Sequence, residues 1–293
     1  MSELNGIRPL GSVIVLATLL AWESLAPFFR YFAGNRKDRV SHGLKNLALG
    51  ILNALVTGLG FAALWWSAAD WSQQHGFGLL NWFALPAWAH LAGAFLLFDA
   101  WMYWWHRLNH RAAFLWRFHR THHSDPTMDV TTASRFHIGE IALSSVLRVP
   151  VIALLGLQIW ELALYEFAMF TVVQLHHANI AFPEWLDRAL RGVIVTPFMH
   201  KVHHSCWQPE TDSNYSSLFS FWDRFFGSFR LCDDPRSLKF GLKEFSGPQD
   251  HTLGGLLTTP FKHVQRTSGK SQAERQTSRA LANDSHDASD ARL

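Results

Sequence analysis

Cysteine is nearly absent. Cys206 and Cys232 are the only two in 293 residues, too few for a disulfide framework, a four-thiolate zinc site or an iron–sulfur cluster. Any metal must therefore be held by histidine and carboxylate. Charge is scarce too: Asp, Glu, Lys and Arg make up 17% of the chain, against about 25% in an average soluble domain. The net charge of +3 is mild and no basic stripe accompanies it, so no nucleic-acid partner is expected. No H-E-x-x-H occurs, which argues against a zincin-type protease. The chain shows no glycine fingerprint for a flavin or nicotinamide and no cytochrome b5-like segment.

Apolar residues are plentiful. They form 48% of the sequence, with 14 Trp and 23 Phe, a composition that suits membrane interfaces as well as a packed core. Residues 10–29, 46–66 and 87–105 read as membrane spans, the first containing Glu23 and Pro27, the third His90 and Asp99. Residues 141–175 are too long for one span and short for two, and Gly156 near their middle suggests a helical hairpin. The expected fold is an all-α polytopic membrane bundle, with about four spans or three plus the hairpin. A helical cap on one side would hold the polar chemistry. Residues 1–86 would form the amino-terminal spans, 87–245 a catalytic domain, and 246–293 a polar, largely disordered tail.

Arg30, Arg36, Lys37, Arg39 and Lys45 lie between the first two spans, and more arginines follow residue 105, whereas the intervening loop has none. By the positive-inside rule both basic segments face the cytoplasm. Arg111 and Arg117 read as interfacial anchors, and Arg107 and Arg120 as partners for carboxylates.

The 17 histidines are unevenly placed. His106 and His110 form H-x-x-x-H. His119, His122 and His123 form H-x-x-H-H, and His200, His203 and His204 repeat that pattern. On a helix, positions i, i+3 and i+4 share a face, so each motif can aim its imidazoles at a common point. One ion takes roughly three or four protein nitrogens, so eight histidines on one side of a membrane imply two metals. Few acidic residues lie among them, which argues against a carboxylate-rich di-iron bundle. The lone His42, His75, His251, His263 and His286 read as hydrogen-bonded or surface residues, and His90 as a cavity-lining or helix-bonding residue. Two other readings are a histidine-rich membrane metal transporter or sensor, which would need ionisable residues lined through the spans, and a di-zinc hydrolase. A bis-histidine haem protein is a further possibility that absorption spectra would decide.

The order HRLNH, HRTHH, HKVHH resembles the fatty acid hydroxylase/sterol desaturase superfamily of integral-membrane di-iron enzymes. DAWMYWWHRLNH, SRFHIGE, HHANI and DSNYSSLFSFWDRFFGSF resemble further elements of that family. Ile138, His176, Ser216 and Ser228 are departures from its pattern. The resemblance covers about residues 20–232. It implies two iron ions, with dioxygen as co-substrate, used to hydroxylate or desaturate a fatty acyl chain, sterol or related lipid. It implies His106, His110, His119, His122, His123, His137, His177, His200, His203 and His204 as metal ligands, with His176 open. Asp99, on the same helical face as His106, is read as a carboxylate fixing an imidazole tautomer. Glu140 and Asn214 are candidates for the same task. Two electrons per turnover would come from a separate reductase, ferredoxin-like or cytochrome b5-like donor docking on the cytoplasmic face.

Overall fold

The computed structural model describes residues 2–32, 34–264 and 266. Among them the architecture is all-helical, with one isolated bridge between Ile194 and Phe219 and no strand. The helices are α1 (Ser2–Leu25), α2 (Arg36–Leu55), α3 (Ala62–Gln74), α4 (Ala87–Arg111), α5 (Ala113–His123), α6 (Ile138–Leu155) and α7 (Ile159–His177). Short helices follow: α8 (Glu184–Leu190), α9 (Pro197–His203), α10 (Gln208–Thr211), α11 (Phe221–Phe225) and α12 (Leu253–Thr258).

Asn35 caps α2 by accepting the Lys37 and Asp38 amides. A single π-turn, Val56–Phe61, joins α2 to α3 without breaking the rod, so Arg36–Gln74 runs as one helical stretch. It and Ile138–Leu155 are the two described helices long and apolar enough to cross a membrane; Leu10–Leu25 is a shorter apolar helix. The expected third span lies within α4, whose His90, Asp99 and tryptophans dilute its apolar character. Leu44, Ile51, Leu59 and Leu64 of the first stretch and Val146 and Leu154 of α6 are exposed. Large aliphatic side chains in such numbers have no favourable contact with water.

Gly156, at φ 78°, ends α6 in the left-handed conformation, which a residue without Cβ adopts freely. A Gln158–Glu161 capping box then starts α7. The two helices do not lie flat on each other. Instead α3 and α4 pack against both, and Phe98, Ile152, Leu162 and Tyr165 form part of the core between them. The splay leaves a gap at the other ends of α6 and α7, toward the histidines.

Asp99 serves this packing rather than a histidine. Its carboxylate accepts from Tyr165 OH of α7 at 2.6 Å, the Phe219 amide at 3.0 Å and Trp222 Nε1 at 3.0 Å. The reason is positional: seven residues before His106, Asp99 lies about 10 Å further along the helix, too far from the imidazoles. Asp99→Ala would strand one buried and two half-buried donors, each costing about 1–3 kcal/mol. Its thermal denaturation in detergent should show a loss of more than about 3 kcal/mol.

His90 and Glu23 have similar structural partners. His90 Nδ1 lies 2.7 Å from Glu161 Oε1 of α7. Glu23 accepts the Val130 and Asn179 amides and pairs with Arg39. The three ionisable groups a transporter would have needed are thus each committed to a different packing contact.

The carboxy-terminal segment is folded through residue 264. Leu256 is fully buried, and Arg120 donates to the Thr259 and Lys262 carbonyls, tying this segment to α5. The remainder of the expected disordered tail, from 267 with His286, lies outside the described residues.

Candidate metal centre

One residue makes the centre possible. Ala112, with extended backbone (φ −87°, ψ 117°), ends α4 and starts α5. The chain reverses there, and residues thirteen apart face each other. His106 Nε2 stands 3.2 Å from His119 Nε2, and the His110 and His123 rings are 4.7 Å apart. The third motif arrives on α9, which starts at Pro197 under a Thr196 cap. Lys201, between the histidines of that motif, is buried and donates to the Ala178 and Ile180 carbonyls at 2.8 and 3.2 Å. It thereby locks α9 against the end of α7, where His177 sits.

Nine imidazoles fall into two groups. His106, His110, His119, His123 and His203 form one; His122, His177, His200 and His204 form the other, with nitrogens in each group within 4.8 Å of one another. Each group takes the i, i+4 pair of one H-x-x-H-H motif and the i+3 histidine of the other. His119 and His123 are joined by His203, while His200 and His204 are joined by His122. The two motifs therefore interlock, and neither group is complete on its own helix.

In at least one pair, His106 and His119, the nitrogens face each other as lone pairs. A carbonyl or carboxylate only accepts, so an imidazole nitrogen beside one must carry the hydrogen. His106 Nδ1–H donates to Tyr215 O at 2.7 Å and His119 Nδ1–H to Glu140 Oε1 at 2.9 Å. His177 Nδ1–H donates to Val173 O and His203 Nδ1–H to Ser213 O, both at 2.7 Å. In these neutral rings Nε2 is bare. Two bare nitrogens, on His106 and His119, sit 3.2 Å apart. His177 Nε2 is 3.1 Å from both His122 Nε2 and His200 Nε2, and His204 Nε2 is 3.1 Å from His200 Nε2. Ligand nitrogens at about 2.0–2.1 Å from a shared ion stand a little over 3 Å apart. Nε2 of His110, His123 and His203 is buried without a hydrogen-bond partner. Facing lone pairs and orphaned nitrogens are what a cation would satisfy, so the residues fit two metal ions.

Burial, the largest cause, pushes the imidazoles of His122, His123, His200 and His204 well below the usual range, and neighbouring imidazoles add to this. His203 falls to about 3 for the same first reason. The folded state thus holds fewer protons than the unfolded chain between about pH 3 and the free-imidazole value of about 6.5. Stability of the metal-free protein should be fully present above that value and fall as pH drops through the window. Denaturation midpoints across pH would show this, and a midpoint that rises on acidification would contradict it.

The tautomer-fixing groups differ in part from expectation. Glu140, on the first turn of α6, performs the expected task on His119. Asn214 contacts no imidazole. It adopts φ 51°, which Asn tolerates, donates to the Met199 and Arg230 carbonyls and accepts the Arg230 amide. This kinks the loop so that the carbonyls on either side of it, Ser213 and Tyr215, reach His203 and His106. Asp223 secures the same loop by accepting the Tyr215 and Ser216 amides and Ser228 Oγ. Three of the four fixing acceptors are backbone carbonyls, which carry no side-chain signature; the D-x-N-Y…W-D pattern was the available signal.

His137 stands apart from both groups. Its Nδ1 accepts the Gly139 amide, capping α6, and its Nε2 lies 3.0 Å from Leu257 O. Both nitrogens are occupied, so the ring has no lone pair to offer. His137→Ala should keep the metal content of the native protein while lowering stability by about 1 kcal/mol, the worth of a helix cap; elemental analysis beside a melting curve would check both. His176 stacks flat on His200, 3.8 Å between centroids and 4° between planes, and belongs to neither group. Arg107 donates to Tyr103 OH and Phe226 O, and Arg120 to the carbonyls named above, with Glu244 as its electrostatic partner.

Beside the centre, in the gap between α6 and α7, lies a cavity of about 590 Å³. His106, His119, His122 and His177 line one end, with Val13, Ile51, Met169 and Phe170 among the apolar walls.

Residues 91–228 match the fatty acid hydroxylase family. Over 225 residues the chain is 26% identical to human alkylglycerol monooxygenase, covering 74% of this chain and 45% of that protein. It is 31% identical to ornithine lipid hydroxylase OlsE of Rhizobium tropici, covering 56% of this chain and 48% of that protein. It is 24% identical to human cholesterol 25-hydroxylase, covering 50% and 53%. The chain thus spans about half the length, or less, of the curated relatives it matches. No solved structure matches it.

Proposed function

We propose, for a chain that belongs to the fatty acid hydroxylase/sterol desaturase superfamily, the role of a membrane-bound lipid hydroxylase using two iron ions and dioxygen. The observation that carries this reading is the pair of interlocked imidazole groups opening onto an apolar cavity. The five-histidine group would hold one iron and the four-histidine group the other. When bound, the two irons would supply the dioxygen chemistry that attacks an unactivated C–H bond, which no acid or base side chain can do.

The chain's own part is positional. Glu140 and the Ser213, Tyr215 and Val173 carbonyls hold hydrogens on Nδ1, so every fixed ring presents Nε2 inward. The loop secured by Asn214 and Asp223 keeps the His106 and His203 rings from turning. The mostly apolar cavity would admit an alkyl chain beside His106, His122 and His177, and its volume is in the range that encloses most of a small lipid segment. The exposed apolar faces of α2, α3 and α6 would lie in the bilayer, and lipid would enter laterally. The basic residues at 30–45 favour a centre on the cytoplasmic side by the positive-inside rule, where a separate donor would deliver two electrons.

Iron-loaded protein in membranes, supplied with a reducing partner and ¹⁸O₂, should yield lipids carrying one labelled oxygen. Membranes holding His122→Ala protein should yield none. Unchanged lipid masses with fully iron-loaded native protein would refute the reading.

A further inference from the structure

At the far end of the cavity, Arg148 of α6 and Glu166 of α7 form an ion pair across the gap. Arg148 lies within an apolar helix long enough to cross a membrane. Ionisable groups at such positions are costly and are usually functional. Beyond the pair, Ile152, Leu162 and Tyr165 close the helices into solid core, so the pair forms the floor of the cavity.

The pair is held but not saturated. The guanidinium sits 5.2 Å above the Trp65 ring and 5.7 Å from Phe98, and one terminal nitrogen lies 3.5 Å from Met102 Sδ. Nε is buried without a hydrogen-bond partner. The side chains keep 12% and 23% exposure, and both line the cavity.

We propose that this pair receives the polar group of the substrate, and that the group is neutral and both donates and accepts, a hydroxyl or an amide. The proposal rests on the lipid reading above. A hydroxyl can take a guanidinium N–H of Arg148 on its exposed side and donate to a Glu166 oxygen, satisfying both without disturbing the pair. A carboxylate meets Glu166 and an ammonium meets Arg148, so like charge disfavours each. An alkyl terminus would leave the N–H unpaired and the ion pair desolvated.

The pair also acts as a ruler. Eight residues of α6 separate Arg148 from Glu140, a rise of about 12 Å, and eleven of α7 separate Glu166 from His177, about 16 Å. The carbon presented to the histidines is therefore remote from the polar group, not adjacent to it. A substrate anchored at the floor is oxidised toward its apolar end.

The test is binding to the full-length protein in detergent, by competition against tritiated palmityl alcohol. Palmityl alcohol, palmitate and hexadecane are compared at mildly alkaline pH. Native protein should bind the alcohol about tenfold more tightly than palmitate or hexadecane, the size of one charge-assisted hydrogen bond. Glu166→Gln leaves the positive charge alone and should shift the ratio about tenfold toward palmitate. A purely structural pair would not reverse preference in this way. Arg148→Met with Glu166→Leu should abolish the alcohol's advantage over hexadecane, and this variant decides the matter if Glu166→Gln cannot be isolated.

Equal binding of alcohol and hexadecane by native protein would mean that a chain end occupies the floor, and would overturn the assignment while leaving the lipid reading intact. An unshifted ratio in Glu166→Gln would overturn it equally. Native protein that binds none of the three overturns the lipid reading, and this inference with it.

Discussion

Alanine at His203 or at His204 is expected to abolish lipid oxidation, by about a thousandfold or more. An iron site contributes several kcal/mol to the transition state, and each 1.4 kcal/mol is about a factor of ten in rate. The two variants should nevertheless differ in metal content. His204 belongs to the four-histidine group, so its loss leaves three imidazoles and that ion should be easily stripped by a chelator. His203 belongs to the five-histidine group, so its loss leaves four, enough for a full set of nitrogen ligands. Both are neighbours in sequence on one short segment, and only the interlocking assigns them to different ions. Iron retained after dialysis against a chelator should therefore be lower in His204→Ala than in His203→Ala. The reverse order would mean that the groups are divided otherwise.

The second large effect is expected at Glu140. Its carboxylate accepts the His119 Nδ1–H at 2.9 Å. It is the single side-chain acceptor among the four groups that fix tautomers. Removing such a partner typically costs about 10–100-fold in metal affinity or activity. Glu140→Ala should fall in that range, because the His119 ring loses both its orientation and the negative charge beside it. Glu140→Gln keeps an accepting oxygen and should lose less. Iron affinity by chelator competition separates the two variants from a loss of folding, which a melting curve would register. Equal losses in both would show that charge, not orientation, is the contribution of Glu140.

What was legible in the sequence was what the chemistry needs on contiguous residues. The i, i+3, i+4 spacing of HRTHH and HKVHH writes helical ligand geometry directly into the chain, and eight motif histidines raised the expectation of two ions. The assignment within each motif was not legible. It depends on where Ala112 reverses the chain and on Lys201 fixing α9 to the end of α7, both tertiary facts. Asp99 was misread because a shared helical face says nothing of height along the axis: at seven residues it shares the face of His106 but reaches Tyr165 instead. His137 was misread because its partners, the Gly139 amide and the Leu257 carbonyl, are backbone groups. One of them lies 120 residues away in a segment expected to be disordered. The ion pair flooring the cavity went unnoticed for a similar reason. Arg148 and Glu166 lie on two helices whose splay cannot be read from hydropathy.

The central claim is that nine histidines make two metal sites. Iron per chain, measured by elemental analysis on purified native protein, tests it most directly. Two ions per chain are predicted, falling toward one in His204→Ala after chelator treatment. A native value of one ion per chain that His204→Ala leaves unchanged would contradict the account.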